Sequence, residues 1–279
     1  MASVNSPIRK FVKPILYKLL GNNIYLWFQF YGKLRDINNK LVEEKEMELL
    51  PDFIKEGSET LDIGANYAYY SVRMAKLVGN TGKVYAFEPI YFTSKIFKKI
   101  VKSFGLGNII FFQKGAGDSN EKISFNVPLQ DFGAPSTSMS HFARRNNELE
   151  EKEKFYVFDK HEIQECDVIR IDDFLLPKLK DLSFVKIDIE GAEYYALKGM
   201  VKTLMCFKPV IIVEIQPFFL KGFGIPENEI LDLIENIGYK MFLYQQEIRK
   251  LMPFTPPLID SNYILIPRDH LSNYDHILG

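Results

Sequence analysis

Carboxylates stand in this chain just after short apolar runs, and their spacing is that of groups gathered around a ligand. Asp62 lies in Glu59-Thr-Leu-Asp-Ile-Gly-Ala-Asn-Tyr-Ala-Tyr-Tyr-Ser71, and Glu88 ends Lys83-Val-Tyr-Ala-Phe-Glu-Pro89. Asp188, Glu190 and Glu193 crowd into Phe184-Val-Lys-Ile-Asp-Ile-Glu-Gly-Ala-Glu193. Acids that close repel one another unless an ammonium, a cation or water lies between them. Apolar run, acid, glycine, small-residue turn, helix, apolar run, acid is the layout of a nucleoside-binding βαβ half. In it, Gly64 lets the turn approach a ligand closely, and Glu88 accepts hydrogen bonds from both ribose hydroxyls. The pattern implies an adenosine-containing cofactor.

The glycines decide which one. A dinucleotide fingerprint, G-x-G-x-x-G, seats a pyrophosphate against bare backbone at a helix N-terminus. Here the turn Asp62-Ile-Gly-Ala-Asn-Tyr-Ala68 has one glycine, and no G-x-x-x-x-G-K-[ST] loop occurs anywhere. An acid before the turn and an amide, Asn66, within it suit the zwitterionic amino-acid end of S-adenosylmethionine.

These groups must be carried by strands. Strand candidates are 60–63, Lys83–Phe87, 109–113, Phe184–Ile187 and 210–214, with helical stretches between most of them, Tyr69–Val78 among them. Such alternation predicts a mostly parallel sheet covered on both faces. A helix at Glu227–Asn236 and then strands at 239–244 and 263–266 predict an antiparallel hairpin at the sheet edge. Ligands of open parallel sheets bind beyond the carboxyl ends of the strands. That singles out Asp62, Glu88, Asp188 and, on the substrate side, Glu214. Gln113-Lys-Gly-Ala-Gly-Asp118 follows the third strand and reads either as an adenine-wrapping turn or as an ordinary one. Along the fourth strand, alternation points Lys186 and Asp188 to one side. Asp188 and Glu190 read as facing the reacting centre, one as general base. Glu193 reads as a cap on the next helix, where the dipole favours acids.

Asp-Ile-Gly-Ala-Asn, Ala-Phe-Glu-Pro and the Lys-Ile-Asp-Ile-Glu-Gly-Ala-Glu segment, in this order, resemble the FkbM-type S-adenosylmethionine-dependent methyltransferases. The resemblance runs over about 48–267 and includes Arg170-Ile-Asp-Asp-Phe174 and Pro209-Val-Ile-Ile-Val-Glu214. It implies a Rossmann-like class I methyltransferase fold, α/β, with about seven mostly parallel strands, the last antiparallel, and helices on both faces. It implies cofactor contacts from Asp62, Gly64, Ala65, Asn66, Tyr69, Glu88, Pro89, Lys114, Gly115, Ala116 and Asp188, with Asp188 and Glu190 catalytic. The implied reaction is O-methylation of a hydroxyl on a sugar, glycolipid or secondary metabolite. One departure stands out: Ala68 occupies a position where the family usually has a second glycine, which narrows the space over the cofactor. Two other readings stay open, a nicotinamide-dinucleotide oxidoreductase and a non-catalytic nucleoside-binding scaffold.

Length and composition suit one α/β unit, 51–279, behind an N-terminal helical extension, 1–50. A net charge of −1 argues against a large nucleic-acid footprint. Cys166 and Cys206 read as buried free thiols, and the four histidines show no metal spacing. A reducing cytoplasm fits these features, and no metal is expected. Residues 8–20 mix basic and apolar side chains and 24–31 are rich in aromatics, without a run long enough to span a bilayer. They read as amphipathic helices packing on the domain or across a homodimer contact, with peripheral attachment to the inner membrane face as the alternative. The stretch 127–160, with a Ser/Thr cluster beside His141 and a charge run at 144–154, reads as a lid-like insertion that selects the acceptor.

Overall fold

A computed structural model describes residues 7–129, 133, 135, 141–142 and 160–279. Helix α1 (Pro7–Asn38) breaks at Gly21, where φ is 72° and ψ 178°, and a 3-10 turn at Lys45–Leu49 leads into α2 (Leu50–Phe53). Then β1 (Glu59–Ile63), α3 (Tyr69–Val78), β2 (Lys83–Phe87), α4 (Tyr91–Phe104) and β3 (Ile109–Phe112) alternate. After them come β4 (Gly115–Ala116), β5 (Glu121–Leu129), β6 (His141–Phe142), β7 (Lys160–Ile169) and α5 (Ile171–Phe174). Alternation resumes with β8 (Phe184–Ile187), α6 (Glu193–Lys198), α7 (Val201–Phe207), β9 (Val210–Ile215), α8 (Pro217–Gly222) and α9 (Glu227–Asn236). Strands β10 (Tyr239–Gln245), β11 (Lys250–Pro253) and β12 (Ser261–Pro267) complete the sheet.

The main sheet has eight strands in the order β11-β10-β12-β9-β8-β1-β2-β3. The pairs from β9 to β3 are parallel, and β12 runs antiparallel to both β9 and β10. The expected hairpin partners, β10 and β12, do pair, but not as the edge. β12 is wedged between β9 and β10, and β11 is an eighth strand that takes the edge. The β5–β7 ladder, nine residue pairs long, anchors a second sheet of order β4-β7-β5-β6. Residues 127–129 and 160 belong to this ladder, so the two ends of the expected irregular stretch are strand. Most of the expected lid, including Phe132, Ser140 and the charge run, lies outside the described residues.

The central parallel strands are apolar on both sides, as a doubly covered sheet requires. Leu61, Ile63, Val185, Ile187, Ile211 and Val213 pack on one face beneath α6, α7 and α9. Val84, Phe184, Val210, Ile212 and Ile264 pack on the other, beneath α2 and α3. Tyr25, Leu26 and Phe30 of α1 then cover Val72 of α3 and Phe92, Ile96 and Phe97 of α4. Among the described residues no helix is long and apolar enough to cross a membrane. Cys166 is buried, but Cys206, near the end of α7 next to the exposed Met205, lies at the surface.

Candidate functional site

A cleft opens at the carboxyl ends of β1, β2, β8 and β9. Gly64, Asn66, Glu88, Pro89, Lys114, Gly115, Ala116, Asp188 and Glu190 all line it, so most of the sequence-derived set converges on one space. Ile90, Phe125 and Glu214 line it too. Phe125 belongs to β5, an unforeseen strand, although Ile123, Phe125 and Val127 alternate inward with the period of a half-buried strand.

Three expected contacts fall outside the lining. Asp62 is 2% exposed beneath the turn, where it accepts a hydrogen bond from Ser71 Oγ. Its position opposite Lys186 in the β1–β8 register makes it a support for the site rather than a wall. Ala65 packs with Tyr25 and Val72. Tyr69 opens α3 and lines a different cavity, between α3 and the end of α1, with Asp36 and Arg73. The helix starts one residue past Ala68 and carries Tyr69 away from the cleft.

Gly64 has a task besides the one its motif suggests. Its φ is +83°, and a Cβ there would lie 1.8 Å from the Asp188 carbonyl oxygen. The bare backbone admits the neighbouring strand end. Ala68 is likewise corrected. Fully buried in the cluster around Tyr25, it does not line the cleft and narrows nothing over the cofactor. Its φ of 66° is left-handed, which explains why glycine suits this position.

The turn after β1 is tied to the end of β2. Gly64 and Ala65 donate their N–H groups to the Phe87 carbonyl, and Glu88 receives the N–H of Asn66 (3.1 Å) and of Ile90 (2.8 Å), one on each carboxylate oxygen. Each oxygen keeps a further lone pair for a ligand hydroxyl. Burial pushes the Glu88 carboxyl up to about 7 against those two bonds. The buried Oδ1 of Asn66 has no hydrogen-bond partner in the protein. An acceptor left so at a cleft wall is completed by a ligand donor.

At the other end of the cleft Asp188 is hydrogen-bonded to Glu214 and lies 3.8 Å from Lys186 Nζ. Asp188 is 32% exposed at the wall, yet enough protein surrounds it for burial to push its carboxyl to about 7. Lys186 pulls that value down and Glu214 pushes it up. Lys186 itself is 1% exposed. Burial opposes its charge, but Asp188, Glu44, Glu214 and Asp62 outweigh that and raise its pKa. Its Nζ donates to Asn262 Oδ1 at 2.9 Å, and Asn262 and Tyr70 both bond Glu44. Glu193 bonds backward to the N–H of Ile189 (3.0 Å) and Gly191 (3.1 Å), fixing the loop that carries Glu190. It braces the loop ahead of α6, in whose first turn it stands, and α6 has no side-chain cap hydrogen bond. Asp118 pairs with Lys198 outside the cleft.

The sequence model of the methyltransferase FkbM domain matches residues 62–241, more than half of the chain and all of the strand ends just described. The chain belongs to the FkbM family of S-adenosylmethionine-dependent methyltransferases. A curated relative, Methyltransferase 1 of Beauveria bassiana (strain ARSEF 2860), is 25% identical over 171 residues, which cover 59% of this chain and 66% of the relative. Among solved structures, the methyltransferase FkbM of Methylobacillus flagellatus KT superposes with a TM-score of 0.45 at 15% identity, covering 85% of this chain and 59% of that one. An S-adenosylmethionine-dependent O-methyltransferase of Thermotoga maritima gives 0.41 at 13% identity, over 84% of this chain and 69% of that one. The chain thus spans under two thirds of the first two proteins. The class I fold of this family member follows from its own strand order, with β12 inserted antiparallel beside β9.

The residues present fit the family's cofactor. Two lone pairs on Glu88 face the cleft, Asn66 Oδ1 lacks a protein donor, and the half-buried acids Asp188 and Glu190 suit a cationic sulfonium and ammonium. Among the described residues no group of three or more His, Cys, Asp or Glu is arranged to hold a metal ion.

Proposed function

We propose that this chain O-methylates a hydroxyl on a sugar, glycolipid or secondary metabolite, with Asp188 as general base. The observation that carries the reading is Asp188 at the cleft wall, beside Glu214 and 3.8 Å from Lys186 Nζ, with its carboxyl pushed up to about 7 by burial. When bound, S-adenosylmethionine supplies an electrophilic methyl on a good leaving group. Glu88 would hold the ribose hydroxyls and Asn66 the amino-acid end. An alcohol must lose its proton as the new carbon–oxygen bond forms, and a base of pKa near the working pH accepts it best. Asp188 has that character, with Glu214 beside it and Lys186 Nζ 3.8 Å behind it. Glu190 lines the same wall, on the strained loop that Glu193 fixes.

The test is transfer of labelled methyl from S-adenosylmethionine to a panel of hydroxyl-bearing glycans, glycolipids and small metabolites. Turnover should rise with pH through about 7, following Asp188. Asp188→Asn should lose about 10²–10⁴-fold in kcat, with S-adenosylhomocysteine still bound. Labelling of nitrogen or sulfur acceptors alone, or full turnover by Asp188→Asn, would refute the reading.

A further inference from the structure

The part of α1 after Gly21 is apolar on two sides. Tyr25, Leu26, Phe30, Leu34 and Ile37 turn inward. Ile24, Trp27 and Tyr31, three and four residues apart, form a second stripe that is 46%, 45% and 62% exposed. Arg35, one turn on, is exposed as well. Beside this stripe α4 presents Lys95, Lys98, Lys99 and Lys102, the spacing of one helix face. The two sets touch: Lys99 Nζ lies 3.7 Å from the centroid of the Trp27 ring. Lys95 Nζ lies 4.2 Å over Tyr91, itself 53% exposed.

The charge is segregated to match. Helices α1 and α4 together hold ten Lys or Arg and a single acid, Asp36, which is buried. With 35 basic and 36 acidic residues in the whole chain, the remainder carries ten more acids than bases. Four of those ten, Arg9, Lys10, Lys13 and Lys18, stand among apolar residues in the helical stretch before Gly21.

We infer that this face docks on an anionic lipid surface. Exposed Trp and Tyr rings settle at headgroup level, and each nearby lysine adds attraction to acidic lipid. Trp27 already stacks on Tyr31, with an interplanar angle of 27°, and lies under Lys99. A ring so engaged offers its edge to a headgroup layer better than an open face to a nucleobase. The docking face reaches the cleft: Ile90 lines it and the next residue, Tyr91, begins α4. An acceptor carried on a lipid follows if the O-methylation reading holds, whereas the docking does not depend on that reading.

Trp27 is the only tryptophan in the chain, so its fluorescence reports this face directly. The experiment is flotation, with Trp emission, of the full chain on phosphatidylcholine vesicles with and without phosphatidylserine, and needs no acceptor. Binding and a blue shift are expected only with phosphatidylserine, and should weaken with salt. Lys95→Glu/Lys98→Glu/Lys102→Glu should partition about 100-fold less well, and Trp27→Ala/Tyr31→Ala should weaken flotation too. Both variants should keep wild-type affinity for S-adenosylhomocysteine, showing an intact fold. The inference is overturned by absence of wild-type binding to either vesicle, or by charge-reversed protein that floats as wild type does. Tighter binding to an RNA homopolymer than to the vesicles would also overturn it, as would a dimer that Trp27→Ala converts to monomer.

Discussion

Asn66, Ala68 and Glu190 hold φ of 42°, 66° and 55° in the turns beyond β1 and β8. Each such conformation costs a non-glycine residue about 1–3 kcal/mol and persists only where the surroundings enforce it. Here the enforcers are the Glu88 bonds on one turn and the Glu193 bonds on the other. Gly64 sits where the turns meet, so Gly64→Ala should cost upwards of about 3 kcal/mol in urea unfolding, through left-handed strain and collision with Asp188. A loss under about 1 kcal/mol would show that the two strand ends part easily. The acids make a second forecast. Asp62 is raised to about 6, and Glu88, Asp188 and Glu193 to about 7, in each case chiefly by burial. The folded state keeps these protons to higher pH than the unfolded chain, which releases them near 4. Stability of the unliganded protein should therefore fall as pH rises from about 4 to 7, and level off above. Thermal unfolding across that range checks the sign, and a Tm that climbs toward pH 7 would contradict it.

Strand β8 brings its own base support, because Lys186 ties three segments together: Asp188, Asn262 of β12, and Glu44 ahead of the 3-10 turn. Removing one member of a buried charge network strands the others, typically at about 3–5 kcal/mol. Lys186→Met should show that loss and faster hydrogen exchange across 43–49, and near-wild-type protection there would place the anchor elsewhere. The elements that carry the site were legible in sequence wherever an apolar run ends in an acid, as in β1, β2, β8 and β9. Less legible were β5 and β7. Exposed Ile163 and the charged residues of β7 blur the alternation, and Pro128 sits inside β5. Tyr69 meets a different cavity because the position of one residue at a helix start decides which way it turns. Gly64 lines the cleft, but the sequence does not show that the Asp188 carbonyl fills the space beside it.

At the scale of the whole molecule, a sheet with both faces covered leaves its strand ends as the ligand site, and α1 with α4 supplies a basic, aromatic flank beside it. The acidic cleft and the basic flank divide a chain whose net charge is only −1. The cleft is expected to hold the nucleoside of S-adenosylmethionine through Glu88. Calorimetric titration of the full chain with S-adenosylhomocysteine, and with NAD as a competitor class, tests it most directly. Binding in the micromolar range is expected, about tenfold or more weaker in a folded Glu88→Ala variant, a loss of roughly 1.4 kcal/mol. Binding of NAD in place of S-adenosylhomocysteine, or equal affinity in the wild type and the variant, would contradict it.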